Sequence, residues 1–297
     1  MEVALCLSGQ PRLFKRGYKY IKNFLIDEYN IKDVFCHFWW NPQQNTQGTL
    51  AIYPGNYMRY PGIGYDNQYK AEGNILKELK TLYNPIHIEY DNPPQNIYLT
   101  HEQIKLFITQ VTNKEPNWNN YPDGYKKYLY NHLKSMIDSQ FQSSHFKRVY
   151  EQNRGKKYDL VVRTRYDFAL NTKIERKWKG KFGNIPSLEE IQNKLNEDSK
   201  HFFTEWDNLW IYSSELHDKM MEGMWWNFDK LFNFIVSQDE SNPFKDSTWK
   251  AIPEHFQGAQ AREIWGPMYQ YEVGIDCALT IPRTDEAFDE IDLKWNI

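Results

Sequence analysis

The opening forty residues set the strongest limit on what this chain can fold into. Val3 to Leu7 is an unbroken apolar run, and Ser8-Gly9-Gln10-Pro11 follows at once. A run that is apolar at every position fits a strand covered on both faces, and the Ser-Gly-Gln-Pro step fits a tight loop. From Phe14 the apolar residues recur at Tyr18, Ile21, Phe24, Leu25 and Tyr29 with lysines between them, which is helical spacing over 14–29. Asp33 to Trp39 (DVFCHFW) is a second apolar run. Strand, loop, helix and strand in so short a span predict crossover connections. The fold class is therefore α/β, with a mainly parallel, Rossmann-type central sheet flanked by helices.

The same reasoning places further strands at Ile86–Tyr90, Tyr158–Arg163 (YDLVVR), His201–Phe203, Leu209–Tyr212 and Ile275–Ile281. It places helices over 70–82, near 101–112, over 125–152 and over 187–196. One more runs from the Ser213-Ser214 cap to about residue 236, and another opens at Pro253-Glu254. In the helix over 125–152 the expected buried side is Tyr128, Leu129, Leu133, Met136, Ile137, Phe141, Phe146 and Val149. Residues 41–68, rich in Asn, Gln, Gly, Pro and Tyr, read as an irregular excursion that serves as a candidate flap. The acidic segment 284–292 reads as a solvated end. With no internal repeat, the 297 residues read as a single domain of two halves, 1–170 and 171–297.

Charge and cysteines narrow the function classes. A net charge of −3 leaves no basic excess to neutralise a nucleic-acid backbone, so a nucleic-acid partner is not expected. Cys6, Cys36 and Cys277 are odd in number and far apart, which argues against a disulfide framework or a structural zinc site and for a reducing compartment. The apolar start is too short for a membrane span and lacks the flanks of a signal peptide, so the expectation is a soluble, cytoplasmic protein without an integral membrane segment. Aromatic residues make up 16% of the chain against 40% hydrophobic overall, so rings carry much of the core volume; flat rings also stack on sugars and bases.

Two segments carry the candidate chemistry. Ser8, Gly9, Gln10 and Arg12 lie just past the first strand, where ligands bind in open α/β sheets. Gly9 allows close backbone approach, and Arg12 can pair with a phosphate. The segment matches neither a Walker loop nor GxGxxG; an ordinary β–α turn with a surface arginine is the plain alternative. At the end of the Tyr158–Arg163 strand, alternation puts Arg163, Arg165 and Asp167 on one side. Three such charges need each other or a ligand, and a diphosphate would engage them all, with Asp167 holding a divalent metal or a sugar hydroxyl. A structural Arg–Asp network is the alternative. Asp207, in Glu205-Trp206-Asp207-Asn208, and Glu254, in Pro253-Glu254-His255, are carboxylates placed to serve as general base. The histidines at 37, 87, 101, 132, 145, 201 and 217 form no metal-ligand spacing.

LCLSGQPRLF followed by DVFCHFWW, then YDLVVRTRYDF, DNLWIYSS and Pro253-Glu254, resemble in order and spacing the motifs of a loose family of viral and bacterial glycosyltransferase-like proteins. That family opens with SGQxR and DVFxHxW and continues with YDxVIRxRxD, a D-x-x-x-I-G-S-S strand and a late PE. The resemblance covers roughly 1–40 and 155–260. It implies a GT-A-like fold, with 1–170 as the nucleotide-sugar half and 171–297 as the acceptor half. It also implies transfer of a sugar from a nucleotide-diphosphate donor to a glycan or other hydroxylated acceptor, and Mn or Mg held at a DxD motif. Here Arg165-Tyr166-Asp167 stands at that place, and only the last Asp matches. A viral source would place the protein in the host cytoplasm, and the richness in Asn, Lys, Tyr and Ile fits an AT-rich virus or bacterium. Two other classes share the same residues: a non-catalytic carbohydrate- or nucleotide-binding protein of this fold, and a nucleotide-dependent sulfotransferase.

Overall fold

The computed structural model describes residues 1–43, 46–49, 68–70, 73–93, 119, 123–170, 185–205, 208–247, 253–266, 272–274 and 279–280. The opening folds as its pattern dictates. Strand β1 (Val3–Gly9) leads into helix α1 (Phe14–Ile21), which continues as a π-turn over Lys22–Ile26, and strand β2 (Asp33–Trp39) pairs parallel with β1. Short strands β3 (Thr46–Thr49) and β4 (Gln68–Lys70) pair antiparallel, so the ends of the expected irregular excursion form a ladder. Helix α2 (Ile75–Tyr83), capped by the Asn74 side chain, precedes strand β5 (His87–Asp91), which pairs parallel with β2.

The 32-residue helix α3 (Asp123–Arg154) then crosses the sheet and delivers strand β6 (Leu160–Thr164) to the other side of β1, again parallel. Strand β7 (Ala169–Leu170) and helix α4 (Leu188–Glu197), which starts with a Ser187/Glu190 capping box, follow. Strand β8 (Phe202–Glu205) and strand β9 (Leu209–Ser213) come next. The single helix expected after Ser213 is two, α5 (Ser214–Trp226) and α6 (Phe228–Val236), broken at Asn227, whose backbone leaves the helical region. Helix α7 (Pro253–Trp265) starts where its proline predicts. Strand β10 (Glu272–Gly274), which the sequence pattern does not predict, pairs with β8; of the last strand expected over Ile275–Ile281 only Leu279–Thr280 is described, as strand β11, paired antiparallel with β7. The helix expected near 101–112 and the acidic end lie outside the described residues.

The main sheet has seven strands in the order β10-β8-β9-β6-β1-β2-β5. Six run in one direction, and β9 runs against both its neighbours. Along β1 the side chains alternate between two layers. Val3, Leu5 and Leu7 pack with Tyr20, Ile21 and Leu79 from α1 and α2, while Ala4 and Cys6 pack with Phe146 of α3. On the α3 side, farther along the sheet, Trp210 and Tyr212 meet Leu129, Leu133, Met220 and Phe256. The chain is thus an α/β protein with a mostly parallel, Rossmann-like sheet covered on both faces. Among the described residues, no helix is long and apolar enough to cross a membrane.

Candidate functional site

β1 connects through α1 to β2 on one side, and α3 returns the chain to β6 on the other. The carboxyl ends of β1 and β6 therefore flank the point where strand order reverses, the crevice in which open α/β sheets hold their ligands. Both candidate segments lie there. The turn after β1 is shaped by two residues in the left-handed region, Gly9 at φ 103° and Leu13 at φ 47°. The first angle requires glycine; the second is a strained conformation for leucine. Between them sits Arg12, which is not the surface arginine of the plain reading: it is 4% exposed and its Nη2 donates to Asp167 Oδ2 at 2.8 Å.

Asp167 is fully buried and also accepts from Arg165, whose Nε lies 2.9 Å from Oδ1 and whose Nη2 lies 3.2 Å from Oδ2. One carboxylate thus joins two guanidiniums, one from its own segment and one from a residue 155 positions away. Backbone packing fixes the approach. A Cβ placed on Gly17 of α1 would stand 1.9 Å from the Tyr166 carbonyl oxygen, so α1 can lie against residues 166–167 only because position 17 has no side chain. Tyr166 is buried and its hydroxyl donates to carbonyls at the ends of β1 and β2, Leu7 O at 3.5 Å and His37 O at 3.3 Å.

Arg163 corrects the expectation of three charges on one side. β6 ends at Thr164, so strand alternation does not extend to Asp167. Among the described residues no ion pair joins Arg163 to Asp167. Arg163 stays in the ladder opposite Cys6 and Trp210, 2% exposed, where its charge opposes protonation of His217. The backbone of the first loop is also partly committed. Gly9 N–H donates to Ser139 Oγ of α3 at 2.8 Å, so it is spent within the fold. Ser139 in turn contacts His37 Nδ1 at 2.8 Å, and His37 Nε2 lies 3.1 Å from Asp91 Oδ2. Burial holds the His37 ring below the usual histidine range, against the pull of Asp91. Ser8, 2% exposed, has a buried hydroxyl with no hydrogen-bond partner among the described residues. Cys6 and Cys36 are buried as expected; burial pushes the Cys36 thiol up to about 12.

The remaining expected residues are placed less completely. Asp207 lies outside the described residues. Glu254 is in the first turn of α7, and its side chain is likewise not described. His255 stacks on Phe244 with ring centroids 4.3 Å apart. Sequence reasoning missed Gly17, Ser139 and His37. A glycine inside a helical pattern is the one signal that could have flagged the first; the other two depend on where α3 lands.

A second buried polar cluster lies under α3 and α5. Lys147, fully buried, pairs with Glu151 at 2.8 Å and Asp218 at 2.8 Å and donates to Ser214 Oγ at 2.5 Å. His217 Nδ1 lies 3.2 Å from Ser144 Oγ. Burial, with Lys147 and Arg163, holds the His217 ring below the ordinary range, although Asp218 pulls the other way. No family model matches the chain, and no curated protein matches it.

Proposed function

We propose that this protein is a GT-A-type glycosyltransferase that moves a sugar from a nucleotide-diphosphate donor to a hydroxylated acceptor such as a glycan. The observation that carries the reading is the convergence of Arg12, Arg165 and Asp167 at the strand-order reversal. Two positive groups and one negative, at the place where α/β sheets bind nucleotides, suit a ligand that carries concentrated negative charge. In this reading Ser8, Gly9 and Gln10 line the nucleotide side, and Ser8 offers its buried hydroxyl. Arg12 and Arg165 stabilise the departing diphosphate, on which negative charge grows in the transition state. Asp207 or Glu254 takes the proton from the acceptor hydroxyl.

The experiment is a thermal-shift panel of UDP-, GDP-, CMP- and dTDP-sugars with an adenosine phosphosulfate beside them, followed by turnover with the one that binds. A ligand that binds only the folded chain raises its melting temperature by mass action. One nucleotide class should shift the transition. Asp207→Asn or Glu254→Gln should then slow turnover by about 10²–10⁴-fold while leaving the shift in place. A shift with no turnover points to the binding-protein alternative, and a shift only with an adenosine phosphosulfate points to sulfuryl transfer. Silence across the panel sinks the sugar-donor reading.

A further inference from the structure

This inference rests on the sugar-donor reading and concerns how the charge of the diphosphate is met. The GT-A resemblance implies Mn or Mg bridging a carboxylate and the diphosphate. The residues present do not fit that ion. Hard divalent cations take oxygen ligands at about 2.0–2.6 Å. Here both Asp167 oxygens already accept hydrogen bonds from guanidinium groups, at 2.8 Å from Arg12 and at 2.9 and 3.2 Å from Arg165. An ion on either oxygen would displace an arginine or sit against two positive charges. The residue two positions earlier, where a second carboxylate is implied, is itself Arg165.

The pairing is also built into the backbone. Arg12 is held between two left-handed residues, and Gly17 lets α1 press on residues 166–167. Exposure points the same way. Asp167 has no exposed surface and Arg12 is 4% exposed, whereas Arg165 is 20% exposed. What a ligand can reach at this cluster is guanidinium, not carboxylate.

We infer that the site binds a nucleoside diphosphate without a divalent cation, with Arg165 backed by Arg12 supplying the positive charge. Asp167 is a positioning residue: it fixes the planes of both guanidiniums and touches no phosphate. A planar fork suits this task better than an ammonium, because it can meet carboxylate and phosphate in defined directions.

The test is calorimetric titration of the full chain with UDP, GDP, CDP and dTDP, each in EDTA and in excess Mn. The affinity for the preferred nucleotide should agree within about threefold between the two conditions. Arg165→Gln should lower it by roughly 10–100-fold in both, the loss expected for charge-assisted hydrogen bonds. An unchanged melting transition shows that the variant is folded; should it not fold, Arg165→Lys keeps the charge, loses the fork, and serves instead. Binding that appears only with Mn overturns the inference and leaves the sugar-donor reading standing. EDTA-insensitive binding that Arg165→Gln does not weaken overturns the role given to Arg165. Failure of all four nucleotides in both conditions overturns the inference together with the reading beneath it.

Discussion

The face of the sheet under α1, α2 and α4 is packed with Leu5, Leu7, Tyr20, Ile21, Leu79 and Val162, all apolar or aromatic and all fully buried or nearly so. The opposite face, under α3, α5 and α7, buries Lys147, Glu151, Arg163, His217, Gln140, Gln257 and Gln260 beside its rings. The first face is held by removal of apolar surface from water, which is tolerant of direction. The second depends on buried charges held by partners, as Lys147 is by Glu151 and Asp218, where one missing group leaves another stranded at low dielectric. The difference teaches where this protein is sensitive: substitutions of equal size should behave differently on the two faces.

The largest contrast is expected at Lys147. Replacing it with Met strands Glu151 and Asp218, and should destabilise by about 3–5 kcal/mol. Leu5→Ala, on the apolar face, should cost about 2–5 kcal/mol. The two losses differ in kind: changing Glu151 to Gln in the Lys147→Met background should recover part of the first, and no polar change should recover the second. Urea unfolding of the three variants measures this, and absence of recovery removes the contrast.

Next in size is the acid limb. The folded chain holds His217 and His37 below the ordinary value of 6.5, so below that value the unfolded chain binds protons that the folded chain refuses. The sign is therefore fixed: this contribution is intact above 6.5 and is lost as the pH falls, with a slope of up to about 1.4 kcal/mol per pH unit for each histidine. His217→Gln should flatten the slope, whereas Leu5→Ala should shift the whole curve and leave its shape. Parallel curves for His217→Gln and the parent would show that this ring does not govern the acid response.

The smallest effect is expected at Gln140, 1% exposed, with neither side-chain polar atom hydrogen-bonded among the described residues. Gln140→Leu removes two stranded groups and should be neutral or stabilising by about 1 kcal/mol. A clear loss of stability would show that the amide is held by something bound beside it.

The comparison also marks what the sequence made readable. β1, β2 and β6 could be read because strands covered on both faces carry near-continuous apolar runs, broken here by few polar residues such as Ser8, His37 and Arg163, and the site segments could be read because they directly follow such strands. The polar face could not. Helix α3 presents Ser139, Gln140, Ser143, Ser144, Lys147 and Glu151 to the interior, so hydrophobic periodicity reports only part of its buried side, and the expected Val149 is 37% exposed. The reversal of β9 is invisible in its apolar run, since periodicity carries no direction. The pairing of Arg12 with Asp167 depends on β1 and β6 being neighbours and on the bare face of Gly17, neither of which spacing along the chain can express.

The central place of β1 has a consequence for how the chain is made. Its partner β2 emerges from the ribosome almost at once, but β6, which pairs with Val3–Leu7, follows roughly 120 residues after Trp39. At about 5–20 residues per second that is a delay on the order of 6–24 seconds. Throughout it, one edge of the apolar run Val3–Leu7 has no neighbour, which is the condition under which nascent chains pair with one another. The helix that later bridges the gap is therefore also the timer of a vulnerable interval, and synthesis stalled within it would leave a strand that the finished protein buries as an adhesive surface.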